Sequence, residues 1–181
     1  MIKLFLCDLD GTLTDGGYCV SSLPDMPVDY YSRQFNTRDF VGIKLLHDAG
    51  IRVAVLTGAK ESSPNQFKRA APYMGVFAGV RDKHEFVKST FIDTTSAGNL
   101  APHPNLSWDE IAFIGDEIND YTLLKYVGVA GCPADSSDEV LELIRDRSDG
   151  YVMSRVGGHA CVREFTDIIC DLMNIPIKWN S

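Results

Sequence analysis

Short apolar runs recur along this 181-residue chain, with helix-like segments between them. "IKLFLC" at 2–7 stops abruptly at Asp8. "GIRVAVLTG" at 50–58 ends on Thr57 and Gly58, and "EIAFIGD" at 110–116 ends on Asp116. "YMGVFAG" at 73–79, "YVGVAG" at 126–131 and "DGYVMS" at 149–154 repeat the pattern more weakly. Runs this short and this apolar read as strands buried on both faces. Strands alternating with helices require crossovers, hence a parallel sheet covered on both sides. The pattern predicts a doubly wound α/β fold in a single domain, 1–181.

The helical segments carry their own punctuation. After Asn36 and Thr37, "RDFVGIKLLHDAG" places Phe40, Ile43 and Leu46 on one face and stops at Gly50. Ser63 and Pro64 read as an N-cap followed by proline at the first helical position. Ser137 opens another helix, with Asp138 and Glu139 in its first turn. Val162, Phe165, Ile169 and Leu172 form the apolar stripe of the last one. Two stretches break the alternation. Residues 16–36 hold two β-like runs around a Pro-containing turn and read as a β-hairpin flap. Residues 94–107 are rich in turn formers and read as a long surface loop.

In a sheet of this kind ligands bind beyond the carboxyl ends of the strands. Asp8 and Asp10, Thr57, Asp116 and the residues around Gly131 all fall at predicted strand ends. Asp8 ends a buried strand, where a carboxylate is costly unless paired or metal-bound. Asp10 lies on the same side if the extended geometry persists. Two carboxylates so close repel, and a hard divalent cation such as Mg²⁺ relieves the repulsion. "GDEIND" adds Asp116 and Asp120 at another strand end, so Asp8, Asp10 and Asp116 could share one ion. Thr57 and Gly58 offer a hydroxyl and backbone N–H groups to phosphate oxygens. "DKHE" looks like a capping arrangement, which sets Lys83 in a first helical turn against the helix dipole. A cation there points to a charge partner, either a phosphate or a carboxylate. Together these groups are the equipment for phosphoryl transfer through an aspartyl phosphate.

Composition excludes other classes. The net charge of −8 is wrong for a general binder of nucleic acid or anionic membrane. The five cysteines, Cys7, Cys19, Cys132, Cys161 and Cys170, include no CxxC, which argues against a zinc site or a disulfide framework. Reduced thiols and the absence of a signal-like N-terminus or a membrane-length apolar run fit a cytoplasmic protein. His47, His84, His103 and His159 show no paired ligand spacing.

The motifs "DLDGTLTDGG", "LTG", the lysine of "RDK" and "GDEIND" resemble those of haloacid dehalogenase (HAD) superfamily phosphatases. "FNTRDFVGIKLLHDAGIRVAVLTG", "IAFIGDEINDYTLLKYVGVAGCPADS" and "GG…VRE" extend the likeness over nearly the whole chain. They resemble the cap-less branch that acts on 3-deoxy-D-manno-octulosonate (KDO) 8-phosphate or on KDN and N-acetylneuraminate 9-phosphates. The resemblance implies a HAD-like Rossmannoid sheet with no large cap domain. It implies Asp8 as nucleophile and Asp10 as general acid, then base, with Mg²⁺ held by Asp8, the Asp10 main-chain carbonyl and Asp116. Thr57 and Gly58 would bind the transferring phosphoryl group, and Lys83 would neutralise it. Asp120 would orient Lys83 or metal-bound water, with Asn119 in support. Asn36, Thr37 and Asp39 would form a substrate-side wall, joined by Lys60, Lys68 or Arg69 across a subunit interface. The flap would build a homotetramer. Ala59 and Ala160 depart from the branch's usual residues, which bears on the choice of sugar.

The near alternative is the same chemistry on another small phosphate ester, and two other classes compete. A receiver module also uses acids, a Thr and a Lys, but its phosphorylated Asp follows its third strand, whereas "DLDGT" follows the first. A silent HAD-like regulatory or oligomerisation domain, of the kind associated with sialic acid activation, would lack one of Asp8, Asp10 and Asp116. All three are present.

Overall fold

The computed structural model describes residues 1–17, 19–21, 30–60, 71–93 and 105–177. The expected helix start at Ser63 and Pro64, and Lys68, Arg69, His103 and residues 94–104, lie outside the described residues. Six strands form one parallel sheet: β1 (Leu4–Cys7), β4 (Arg52–Leu56), β5 (Gly75–Phe77), β6 (Ile111–Ile114), β7 (Val129–Cys132) and β8 (Gly150–Val152). Their spatial order is β5-β4-β1-β6-β7-β8. The order reverses between β1 and β6, and that switch point is where a crevice opens in sheets of this type. Gly131 lies inside β7 rather than beyond its end.

The wholly apolar strands are explained by a core on each side. On one face, Phe5, Cys7, Val55 and Ile114 meet Ile43 and Leu46 of α1 (Thr37–Asp48) and Phe165 and Ile169 of α5 (Cys161–Met173). On the other, Leu6, Leu56 and Phe113 meet Val87 of α2 (Lys83–Val87), Leu123 of α3 (Ile118–Tyr126) and Ile144 of α4 (Asp138–Arg145). Each fully buried Leu, Ile or Phe contributes about 1.5–3 kcal/mol. Such a core is stiff enough to hold charged groups at the strand tips.

Helix ends follow the sequence signals with two exceptions. Asn36 accepts the Arg38 N–H at 3.1 Å, and Gly50 (φ +87°) closes α1 in the left-handed region. Asp82 accepts the Glu85 N–H at 2.9 Å, which starts α2 at Lys83. Ser137 stands at the head of α4, yet its buried hydroxyl has no partner among the described residues. Leu172 faces solvent at 52% exposure, and the stripe of α5 continues through Met173 instead. Among the described residues of the flap, β2 (Cys19–Ser21) and β3 (Tyr30–Ser32) pair antiparallel, with Val20 opposite Tyr31.

α5 begins after Ala160, a buried residue at φ +70°. An alanine there carries steric strain of about 1–2 kcal/mol that glycine avoids. Ala160→Gly is therefore expected to stabilise the protein by up to about 1 kcal/mol, after the extra chain entropy of glycine is subtracted. Urea denaturation measures this, and a loss of stability would contradict the strain.

Asp39 lies on the α1 face that carries Ile43 and Leu46 and is fully buried. Its Oδ1 accepts the Arg163 N–H at 2.8 Å, at the N-terminus of α5, while Oδ2 has no partner among the described residues. Burial outweighs the α5 N–H groups and pushes its carboxyl up to about 6. The folded state then holds a proton that the unfolded chain has released between about pH 4 and 6, so stability falls as pH rises through that window. Asp39→Asn should remove this slope, a relative gain of about 2–3 kcal/mol at pH 7 over pH 4. Denaturation curves at the two pH values test it; identical slopes in wild type and variant would contradict it.

Candidate active site

The chain leaves β1 at Cys7 and turns at once. Asp8 stays extended, and its N–H donates to the Ile114 carbonyl at 2.9 Å, which ties it to the neighbouring strand. Gly11 then adopts φ +90°. A Cβ there would lie 2.1 Å from Asp116 Oδ2, so only glycine lets the turn and that carboxylate approach. Because the extended run ends at Asp8, the two acids diverge: Asp8 turns to Lys83 and Asp10 to Arg33. Strand geometry does not persist past Asp8, yet both acids line one cleft.

Lys83 is the electrostatic centre. Its Nζ, fully buried, lies 2.6 Å from Asp8 Oδ1 and 2.5 Å from Asp120 Oδ1. The two carboxylates hold its ammonium above its ordinary range despite the opposing cost of burial. The helix dipole at the start of α2 disfavours a cation, and these carboxylates offset that. Asp120 Oδ2 accepts the N–H groups of Asp116 and Glu117, at 3.1 and 3.3 Å, at the head of α3. Asp120 thus joins Lys83 to the Asp116 backbone. Thr12 Oγ1 donates to Asp116 Oδ1 at 2.7 Å.

Three carboxylates against one ammonium leave excess negative charge in a buried place. Burial, with Asp120 adding to it, pushes the Asp8 carboxyl well above its usual range although Lys83 pulls the other way. Burial likewise raises Asp116 to about 6, and the Thr12 hydrogen bond opposes it. One oxygen from each of Asp8, Asp116 and Asp120 falls within 4.8 Å of the others. This hard-oxygen set fits a small divalent cation. The Asp10 side chain is not in the set and is instead paired with Arg33. Both oxygens of Asp120 are already engaged, which leaves Asp8 and Asp116 as the side chains open to an ion.

Asp8, Asp10, Gly11, Thr57, Gly58, Ala59, Asp116, Glu117, Asn119 and Asp135 surround a cleft of about 590 Å³ at the switch point. Thr57 sits just past β4, with its N–H on the Phe77 carbonyl and its Oγ1 accepting the Ala59 N–H at 3.1 Å. Among the described residues nothing accepts its hydroxyl proton, which suits it to a ligand oxygen. Asn36, Thr37 and Asp39 do not line this cleft: Asn36 and Asp39 are committed to helix ends, and Thr37 is exposed. Lys60 is also exposed.

Several site residues were not read from sequence, Thr12 and Asp135 among them. Arg33, just after β3, donates from Nε to Asp10 Oδ1 at 2.6 Å and from Nη2 to Asp10 Oδ2 at 3.1 Å. Its side chain is 8% exposed. The only signal was indirect, in that Asp10 needs a cation.

Comparison with known proteins gives a consistent picture. No protein-family model matches the chain. It is 30% identical over 171 residues to the 3-deoxy-D-manno-octulosonate 8-phosphate phosphatase of Haemophilus influenzae, covering 93% of this chain and 82% of that protein. It is also 30% identical over 175 residues to the N-acylneuraminate cytidylyltransferase B of Danio rerio, covering 94% of this chain but only 36% of that longer protein, so the chain spans about a third of it. The cobalt-bound structure of the deoxy-D-mannose-octulosonate 8-phosphate phosphatase from Haemophilus influenzae superposes with a TM-score of 0.69 at 28% identity, over 96% of this chain and 90% of that one.

Proposed function

We propose a function from the premise that this chain belongs to the 3-deoxy-D-manno-octulosonate 8-phosphate phosphatase family of the HAD superfamily: it is a Mg²⁺-dependent phosphomonoesterase acting on the phosphate of an ulosonic or nonulosonic sugar acid. One observation carries the chemistry. Lys83 bridges Asp8 and Asp120 beside Asp116, at the tips of the adjacent strands β1 and β6.

Asp8 is the nucleophile. Its oxygen attacks phosphorus and forms an aspartyl phosphate while the sugar alkoxide leaves. Asp10 protonates that leaving oxygen and afterwards takes a proton from the water that hydrolyses the intermediate. Thr57 and the N–H of Gly58 bind oxygens of the transferring group, and Lys83 balances charge on it and on Asp8. Asp8, Asp116 and the main-chain carbonyl of Asp10 would hold the cation, which supplies further neutralisation of the phosphoryl oxygens. Asp120 keeps Lys83 aimed, and Asn119 flanks the cleft.

The substrate class rests on both relatives, one named for an octulosonate phosphate and the other for N-acylneuraminate, a nonulosonate. KDO 8-phosphate and sialic acid or KDN 9-phosphates are therefore the first candidates. The flap is the element proposed to build a homotetramer. Among the described residues no helix is long and apolar enough to cross a membrane, and a cytoplasmic setting is proposed on the reduced thiols alone.

The test is phosphate release across a panel of sugar-acid phosphates with Mg²⁺ and with EDTA. Activity on an ulosonic 8- or nonulosonic 9-phosphate, abolished by EDTA, is expected. Good turnover of an unrelated ester with none of these would overturn the substrate class.

A further inference from the structure

We propose that Asp135 is a positioning residue: it holds the Gly157–Gly158 backbone as a brace against the turn after β1, and so keeps Asp10 and Asp116 in place. This rests on the phosphoryl-transfer reaction proposed above. Asp135 stands just past β7 and lines the cleft. Its Oδ1 accepts the Gly157 N–H at 2.9 Å. Gly157 in turn lies directly on the β1 turn, where a Cβ would fall 1.9 Å from the Gly11 carbonyl oxygen. Gly158, at φ +69°, would place a Cβ 2.4 Å from the Asp15 nitrogen. Backbone contacts this close are open only to glycine.

The brace reaches the acids of the site through Thr12. The Thr12 carbonyl accepts the Gly158 N–H at 3.0 Å and the Cys161 thiol at 3.2 Å. The Thr12 hydroxyl donates to Asp116 Oδ1 at 2.7 Å. Asp135, Gly157, Gly158, Thr12 and Asp116 thus form one chain of contacts across the cleft. Gly11, pressed by Gly157, is the residue that follows Asp10. The other end of the brace is tied down as well. Glu164, in the first turn of α5, accepts the N–H groups of Ser154 and Arg155 at 2.9 and 3.2 Å, and the Arg155 carbonyl accepts the Ala134 N–H at 3.0 Å. With that end fixed, the Asp135 bond sets where the glycine pair rests. Misplacement of about 1 Å in a reacting constellation can cost about 100-fold in rate, so a backbone brace of this kind bears on turnover.

The experiment measures kcat and KM for p-nitrophenyl phosphate, and binding of Mg²⁺ alone by calorimetry, in wild type, Asp135→Ala, Asp135→Asn and Gly157→Ala. Asp135 is exposed, so its truncation leaves the core intact. Asp135→Ala should lower kcat roughly 10-fold with KM little changed. It should also weaken Mg²⁺ roughly 3- to 10-fold, less than the loss of a direct neighbour of a ligand. Asp135→Asn, whose amide oxygen still accepts from Gly157, should recover most of both losses. Gly157→Ala, at a melting temperature that shows it folded, should lower kcat by roughly 100-fold. If Asp135→Asn is as damaging as Asp135→Ala, the charge of Asp135 matters rather than its hydrogen bond, and the inference is overturned. Wild-type kcat and Mg²⁺ affinity in Asp135→Ala would overturn it and leave the proposed function standing. A wild type that neither binds Mg²⁺ nor hydrolyses any phosphate ester would overturn the proposed function and this inference together.

Discussion

Asp8→Asn is expected to lower phosphate release by about 10³-fold or more, because the amide cannot form the aspartyl phosphate. The same variant should be at least as stable as wild type. Burial already pushes the Asp8 carboxyl toward its neutral form, and the amide removes a charge that the site holds at a cost. Lys83 keeps Asp120 as its partner at 2.5 Å. Loss of activity with an unchanged or raised melting temperature is therefore the signature. Turnover that survives the substitution would contradict the nucleophile, and a large fall in melting temperature would contradict the electrostatics.

Removing the ammonium should have the opposite effect on stability. Lys83→Met leaves two buried carboxylates without their shared cation, at a cost of about 3–5 kcal/mol near neutral pH. In wild type the folded pKa of Lys83 is raised. Its contribution is thus fully present below the ordinary lysine pKa and is lost as pH rises through the folded value. In the variant the deficit should shrink as pH falls, since burial already favours the protonated form of Asp8 and its neutralisation relieves the repulsion. Added Mg²⁺ should recover part of it, because an ion bound only to the folded state stabilises it. Urea denaturation at pH 5 and pH 7.5, with and without Mg²⁺, measures all three. A deficit under about 1 kcal/mol at pH 7.5 would contradict the central place given to Lys83.

Much of this site was legible because each residue stands where one local rule is broken. Asp8 and Asp116 end apolar strands, and Lys83 opposes a helix dipole. What the sequence could not supply was adjacency. Asp8 and Asp116 meet because β1 and β6 are neighbours across the switch point, a property of sheet order rather than of either motif. Asp39 was read as a substrate wall through its likeness to a family motif. Its spacing of four and seven to Ile43 and Leu46 already put it on the buried face of α1, where it serves the head of α5. Arg33 carried no periodic signal, since the flap strands are three residues each and the pairing with Asp10 spans 23 positions.

The aspartyl phosphate on Asp8 is tested most directly by acid quench during turnover of p-nitrophenyl phosphate with Mg²⁺, followed by mass analysis of the Asp8 peptide. The Asp10→Asn variant, whose second step lacks its base, should accumulate the intermediate, because this leaving group needs no acid. One phosphoryl group on that peptide, released by hydroxylamine and absent from Asp8→Asn, is the expected result. Continued turnover with the peptide unmodified at every quench time would contradict it.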